Sequence, residues 1–468
     1  MLRSYKELQR HAVTSHIPAV VVGGGISGLV CAYELRKAGV DAHLLEASPR
    51  AGGVIHSERR EGYLLELGPQ SFSGTPPLRA LCAELGIEAD LVQAPTRAPR
   101  YVLVDGELRA VPLDPPALLM SSLLSAATKR SIARDLFGKS QPPEQDESVA
   151  SFVRRKFSAE LLDRLAGPFI SGIYAGDPER LSIRSAFPQV YEAEKAAGSV
   201  IRGLKRARKT EKGDPQQPAL LSFREGNEML VRALSARLGA ALRLRAEALE
   251  VKRGPAAKGF ALKIRAANQE ETITTDHLLL ATPTDVAGRL LRGLDPGFEP
   301  LLSAIEYTPV AVVSLGYRQS QVGHSLDGFG FLVSRSAGLR VLGTVWNSSL
   351  FPGRAPQGHV LLTSFAGGAT DPRAVTLSAE NLVSLVHGEI ARVLALSHAP
   401  AFSNVAMYPR ALPQYNLGHS DRLTAIEKLR GESPNLWLAG NYLQGPSIGA
   451  CIEQSQAVAG KVLSRVTR

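Results

Sequence analysis

Apolar residues in this chain follow two alternating periods. Short β-branched runs such as Val20-Val21-Val22 predict strands, and stretches in which apolar residues recur at helical spacing, such as Leu29 to Leu35, predict helices. The first strand and helix are joined by Gly23-Gly24-Gly25-Ile26-Ser27-Gly28 and followed by a second apolar run, Val40 to Glu46. That order predicts a βαβ unit. Next, Val54 to Ser57 and Gly62 to Ser71 predict a hairpin-like stretch. Leu78, Leu81, Cys82 and Leu85 predict an amphipathic helix over 78–93, with Cys82 in the core, and Arg100 to Val104 with Asp105-Gly106 predicts a hairpin. From Pro115 to about Ser185 the pattern is helical, ending in the loop Gly172 to Pro178. Gly226 to Leu238 predicts a helix. Strands are expected at Leu242 to Lys252, Gly259 to Arg265 and Glu271 to Thr275, and a buried strand, Asp276 to Thr282, should return to the parallel sheet begun at Val20. Residues 305–365 alternate β-rich runs with glycine turns, which predicts an antiparallel sheet. Asn435 to Asn441 predicts a last strand, and a helix is expected from near Ala450 to the end.

At 468 residues the chain exceeds one ordinary core. We expect an α/β protein with a discontinuous Rossmann-like domain from 16–77, 215–288 and 422–468. An inserted α+β domain would come from 78–113, 186–214 and 289–421, and a helical part from 114–185. Hydrophobic content of 44% and charge of 21% describe an ordinary globular chain. The formal charge of +10 suits an anionic substrate or an anionic membrane surface; nucleic acid ranks last, since no nucleic-acid module accompanies it. Three scattered cysteines, Cys31, Cys82 and Cys451, show no metal spacing and argue for a reducing compartment, hence a cytoplasmic location. Residues 1–16 lack a signal-peptide core. Pro115 to Thr128, uncharged and rich in leucine, is the nearest approach to a membrane segment; it is too short to cross a membrane but long enough to lie on one. The basic segment Arg202 to Lys212, followed by Gly213-Asp214-Pro215, reads as a solvated or disordered linker in preference to a lipid-binding patch.

The glycine pattern carries the chemistry. Gly23 allows a tight turn out of the strand, Gly25 lets the backbone approach a pyrophosphate, and Gly28 lets the helix pack on the sheet. The helix N-terminus then faces the phosphates. Glu46 stands 18 residues beyond Gly28 (46 − 28), where a carboxylate accepts hydrogen bonds from a ribose and repels a 2′-phosphate. Arg50-Ala51-Gly52-Gly53 adds a positive charge and a close backbone approach there, favouring FAD over NAD. At the other end of the chain, the last helix would direct N–H groups at a flavin carbonyl, where negative charge develops on reduction. Cys451, in its first turn, reads as a packing residue and the flavin as non-covalent. His43, His56 and His419 read as packing or surface histidines.

These features resemble the flavin amine oxidase superfamily. Within it, Arg100-Tyr101-Val102, Pro168 to Pro178, Leu181 to Pro188, Gly328 to Val333 and Cys451-Ile452-Glu453 are similar to the oxygen-dependent, FAD-containing protoporphyrinogen oxidase family. The resemblance covers nearly the whole chain. It implies FAD held by Gly23, Gly24, Gly25, Ile26, Ser27, Gly28, Glu46, Ala47, Arg50, Gly53 and Val54, by the turn Gly68-Pro69-Gln70-Ser71, by the backbone of Val251, and by Ser447, Ile448 and Gly449. It further implies that Arg100 pairs with a substrate propionate, that Leu332, Val345 and Phe365 sandwich the tetrapyrrole, and that Ala175 and Gly176 complete the substrate site. A macrocycle with carboxylates does need a flat apolar slot and a bidentate cation. The implied reaction passes a hydride from a methylene bridge to flavin N5, loses an N–H proton, and is repeated with consumption of O2 and release of H2O2; no side-chain base is nominated. The resemblance further implies peripheral contact of the helical part with a membrane, and it is compatible with a homodimer. Val345, often larger in the family, and Gly445-Pro446 depart from its pattern. Three alternatives remain open: coproporphyrinogen III oxidation, against which the single Arg100 argues; an amine oxidase or carotenoid desaturase; and a non-catalytic flavin-binding or membrane-surface protein.

Overall fold

The computed structural model describes residues 15–112, 115–210, 219–255 and 258–466. The polar stretch through residue 14, Lys212 and Gly213-Asp214-Pro215 lie outside them. A five-stranded sheet holds the strands Leu242–Leu244, Ala42–Glu46, Ala19–Val22, His277–Leu280 and Leu436–Leu438 in that spatial order, every neighbouring pair parallel. Covered on both faces, such a sheet needs apolar residues at consecutive positions, and period two divides them. Ala19, Val21, Leu44 and Leu279 enter a core that also contains Leu29 and Ile452, from the helices Ile26–Lys37 and Ile448–Val466. Val20, Val22, Leu45, Leu278 and Leu280 face the opposite core with Leu262, Ile264 and Ile273, which belong to the antiparallel sheet Ala246–Arg253, Phe260–Ala266 and Gln269–Thr275. The return of the strand near Leu278 to the sheet begun at Val20 is as expected. The strand Ala19–Val22 and the last helix, Ile448–Val466, meet there.

Several expected boundaries change. The strand expected over Leu242 to Lys252 breaks at Arg245, whose φ of 53° turns the chain. Leu242–Leu244 joins the parallel sheet and Ala246–Arg253 the antiparallel one. The helix expected over 78–93 is Pro76–Leu85, stopped by Gly86 in the left-handed conformation, and Leu91–Gln93 becomes a strand. The last helix begins at Ile448.

A seven-stranded sheet orders Phe402–Pro413, Tyr307–Arg318, His359–Gly367, Val341–Trp346, Gly330–Val333, Arg100–Val104 and Glu107–Ala110. It is antiparallel, as the turn pattern predicts, except where Gly330–Val333 runs parallel to Arg100–Val104. Leu103, Val313, Phe331 and Leu362 pack on one face with Leu382, Val386 and Ile390 of the helix Ala379–Leu394.

Residues 115–185 are largely helical, as expected, with a π-helical turn over Leu162–Ala166 leading into the helix Gly167–Tyr174. The basic segment is a helix, Val200–Thr210, where a linker was expected. Arg202 turns inward and donates to the carbonyls of Leu136, Gly138 and Ala197 (each 2.6 Å), which satisfies carbonyls left free by the turns there. Among the described residues no helix is long and apolar enough to cross a membrane.

Candidate active site

A cleft of about 700 Å³ opens at the carboxyl ends of the parallel strands, where ligands bind in open α/β sheets. Gly23 has a φ of 106° and donates to the carbonyl of Leu45 (2.8 Å), so the chain leaves its strand in a conformation suited to glycine. The helix Ile26–Lys37 starts at Gly25 without a side-chain cap, and a Cβ on Gly25 would meet no protein atom within 4 Å. Uncapped N–H groups and bare backbone together suit a phosphate. Glu46 is held in place by the N–H groups of Gly24 (2.6 Å) and Ser48 (2.7 Å). Thr282 Oγ1, buried on the cleft wall, has no protein partner. An uncapped helix start, an oriented carboxylate and an orphaned hydroxyl fit a dinucleotide.

Of the expected cofactor residues, Gly23, Gly24, Gly25, Ile26, Ser27, Glu46, Ala47, Gly53, Val54, Pro69 and Ile448 line the cleft. Others stand behind the wall. Arg50 donates to the carbonyls of Ala51 (3.0 Å), Ile55 (3.1 Å) and Gly53, so its guanidinium holds the turn that follows and makes no direct wall of the cleft. A Cβ on Gly68 would lie 1.9 Å from the Val54 carbonyl, so this glycine serves backbone packing. Gln70 donates to the carbonyls of Glu66 and Gly68 (both 2.9 Å) and accepts from Asn347 Nδ2 (2.7 Å). Ser71 and Gly449 do not line the cleft, and Ser447 caps the last helix through Ala450 N–H (3.2 Å). Val251, expected to contribute its backbone, has its side chain fully buried opposite Leu262 and does not line the cleft, whereas Ala246 to Leu249 do, because the turn at Arg245 starts the strand there. Sequence reading also missed Ala281-Thr282-Pro283, Tyr307 and Arg410. The proline turn after Leu280 was the available signal.

The expected substrate residues come together by register. Arg100 pairs with Gly330 and Gly330 with Val345; two residues along, Leu332 pairs with Gly343 and Gly343 with Phe365. Alternation therefore places Arg100, Val345, Leu332 and Phe365 on one face of the seven-stranded sheet, opposite the face buried by the helix Ala379–Leu394. Arg100 is exposed, its guanidinium 5.8 Å from the Phe329 ring. Phe365 and Ala411 both pack against the cluster of Ala175, Val310 and Val312, and Ala411 also lines the cleft, so this face adjoins the dinucleotide site. Ala175, at a φ of 46°, ends the helix Gly167–Tyr174, and its carbonyl accepts from Ala369 N–H (2.7 Å). A Cβ on Gly176 would stand 2.7 Å from Leu181 Cδ1 and 2.8 Å from Gln414 Oε1, both side-chain ends.

Residues 26–463 match the family of flavin containing amine oxidoreductases. The chain belongs to this family. It is 35% identical over 97% of its length to the chloroplastic protoporphyrinogen oxidase of Nicotiana tabacum, covering 87% of that protein. It is 29% identical over 95% of its length to the coproporphyrinogen III oxidase of Bacillus subtilis, covering 97% of it. A crystal structure of a protein assigned as a protoporphyrinogen oxidase in Exiguobacterium sp. 255-15 superposes with a TM-score of 0.80 at 26% identity, over 97% of this chain and all of that one. The chain is accordingly a flavoprotein oxidoreductase, and FAD is its cofactor.

In this family member Cys451 lines the cleft, and burial pushes its thiol up to about 11, so it stays protonated at neutral pH. His419 is buried, and its Nε2 donates to the Tyr442 carbonyl (3.0 Å). Burial pulls its pKa from 6.5 down to about 4. The unfolded chain takes up this proton first, so stability is full above pH 6.5 and declines as pH falls towards 4. The melting temperature is expected to drop through that window more steeply in wild type than in His419→Gln. Equal slopes in paired scanning-fluorimetry titrations would contradict this.

Proposed function

We propose that the chain oxidises protoporphyrinogen IX to protoporphyrin IX in porphyrin biosynthesis, with O2 reoxidising the flavin and H2O2 released. The observation that carries this reading is the single sheet face bearing Arg100, Leu332, Val345 and Phe365 and adjoining the FAD cleft through Ala411. FAD, when bound, supplies the hydride acceptor. The protein's own residues bind, orient and desolvate. Leu332, Val345 and Phe365 offer an apolar surface to the tetrapyrrole, and Arg100 offers a charge-assisted, bidentate grip on one propionate. Gly23 to Ser27 and Glu46 hold the cofactor's phosphates and ribose; Ala175 and Gly176 close the substrate side.

The likeness to the coproporphyrinogen III oxidase of Bacillus subtilis favours a second reading, the same chemistry on coproporphyrinogen III. Anaerobic titration of the purified yellow protein with each porphyrinogen tests both. Faster bleaching by coproporphyrinogen would reverse the order, and no bleaching by either would remove both. Replacing Arg100 by alanine is expected to raise KM for protoporphyrinogen roughly ten- to a hundred-fold, from about 1.5–3 kcal/mol for a charged hydrogen bond, with FAD content unchanged. Porphyrin fluorescence reads the rate, and an unaltered KM would rule out the contact. The reading includes the three-part division given above, in which 114–185 faces an anionic membrane; exposed Met120 and Phe137 support it.

A further inference from the structure

The loop from Gly440 to Ser447 connects the last strand to the last helix and presents Gly440, Asn441 and Pro446 to the cleft. It extends beyond the sheet, so strand pairing cannot shape it. Two side chains from the segment after the strand Phe402–Pro413 hold it instead. The Tyr415 hydroxyl donates to the carbonyl of Asn441 (2.5 Å) and accepts from the N–H of Gly445 (2.7 Å), one group bridging both ends of the turn. His419 donates from Nε2 to the carbonyl of Tyr442 (3.0 Å). The two rings stack with centroids 4.4 Å apart and an interplanar angle of 8°, and both residues are buried. Two stacked rings thus restrain three backbone groups of the five residues Asn441–Gly445, a turn that reaches the cleft wall at Asn441 and leads to Pro446 on it.

We propose that Tyr415 and His419 are positioning residues for FAD, setting the shape of the loop Asn441–Gly445 against the bound cofactor. A tyrosine lacking its hydroxyl would leave the Asn441 carbonyl and the Gly445 N–H without this partner, and the loop would relax away from the cofactor-binding shape. A histidine is needed at 419 only as a neutral donor, and glutamine can place a donor at similar reach.

The test is reconstitution of flavin-free protein with FAD, read by fluorescence quenching, together with the visible spectrum of the bound flavin. Tyr415→Phe and His419→Leu are expected to bind FAD roughly ten-fold more weakly, with an altered flavin spectrum, and His419→Gln to bind it nearly as wild type. Tyr317→Phe is the control. It removes a buried hydroxyl bonded to His387 Nδ1 (3.0 Å) beneath the far face of the seven-stranded sheet, and should leave FAD affinity unchanged. FAD affinity and spectrum unchanged in Tyr415→Phe and His419→Leu would overturn the proposal, as would an equal loss in Tyr317→Phe. If Tyr415→Phe is not recovered folded, the His419 pair decides by the same readings. No porphyrinogen enters the measurement, so its outcome is independent of the substrate reading.

Discussion

Alanine at Gly28 is expected to give a destabilised protein that purifies without flavin, whereas alanine at Gly25 is expected to give a stable but colourless one. A Cβ on Gly28 would lie 1.9 Å from the Gly23 carbonyl oxygen and 3.3 Å from Ala281 Cβ. Backbone cannot yield as a flexible side chain does, so the helix Ile26–Lys37 must lift from the sheet. Overpacking of this kind costs about 1–3 kcal/mol and displaces the N–H groups that face the phosphates. A Cβ on Gly25 meets only the open cleft, so its penalty falls on the ligand alone. Thermal melts of the two flavin-free proteins, alongside FAD titrations, separate the cases: affinity should fall at least roughly a hundred-fold in both, about two hydrogen bonds' worth, and the melt should fall only for Gly28→Ala. Retention of FAD by Gly25→Ala would remove the phosphate assignment.

Arg354→Met is expected to cost about 3–5 kcal/mol of stability, the largest loss foreseen for a residue outside the cleft. Arg354 and Glu66 form an ion pair at 2.9 Å with both side chains 1% exposed. Arg354 also donates to Ser222 Oγ, and Glu66 accepts from Ser57 Oγ (2.6 Å) and Asn227 N–H (2.9 Å). Burial pushes the Glu66 carboxyl above its usual range and the Arg354 guanidinium below its own, each against the pull of its partner. Removing the cation therefore leaves an uncompensated carboxylate in the interior. Adding Glu66→Gln to Arg354→Met should recover part of the loss, because the unpaired charge is then gone. Urea denaturation measures both, and a single-variant loss under about 1 kcal/mol would show the pair to be dispensable.

Residues 19–46 were legible in order because each of their constraints is local. Period two buries Val20 and Val21 on opposite faces, helical period buries Leu29 and Leu35, and the glycines between them answer to sterics within a few positions. The antiparallel sheet was legible for the same reason, and its register carried Arg100, Leu332, Val345 and Phe365 to one face. The wall at Ala246 to Leu249 was not, because the break at Arg245 depends on a backbone turn that the apolar pattern runs straight through. Arg50 and Gln70 were recognised by position, but not the turn carbonyls to which they donate. What their polar groups touch depends on carbonyls that the folded turns leave free.

Local order along the chain alone thus determined the βαβ unit, the dinucleotide turn, the closing strand and helix, and the residue types suited to a flavin. Only the tertiary structure decided that Arg354 answers Glu66 across 288 positions, that Tyr415 and His419 hold the loop at Asn441, and that Ala411 lies both beside the sheet face carrying Phe365 and on the wall of the cleft. The physical reason is that periodicity and turn sterics act over a few residues, while a buried polar group takes whichever partner the packed chain brings within hydrogen-bond reach.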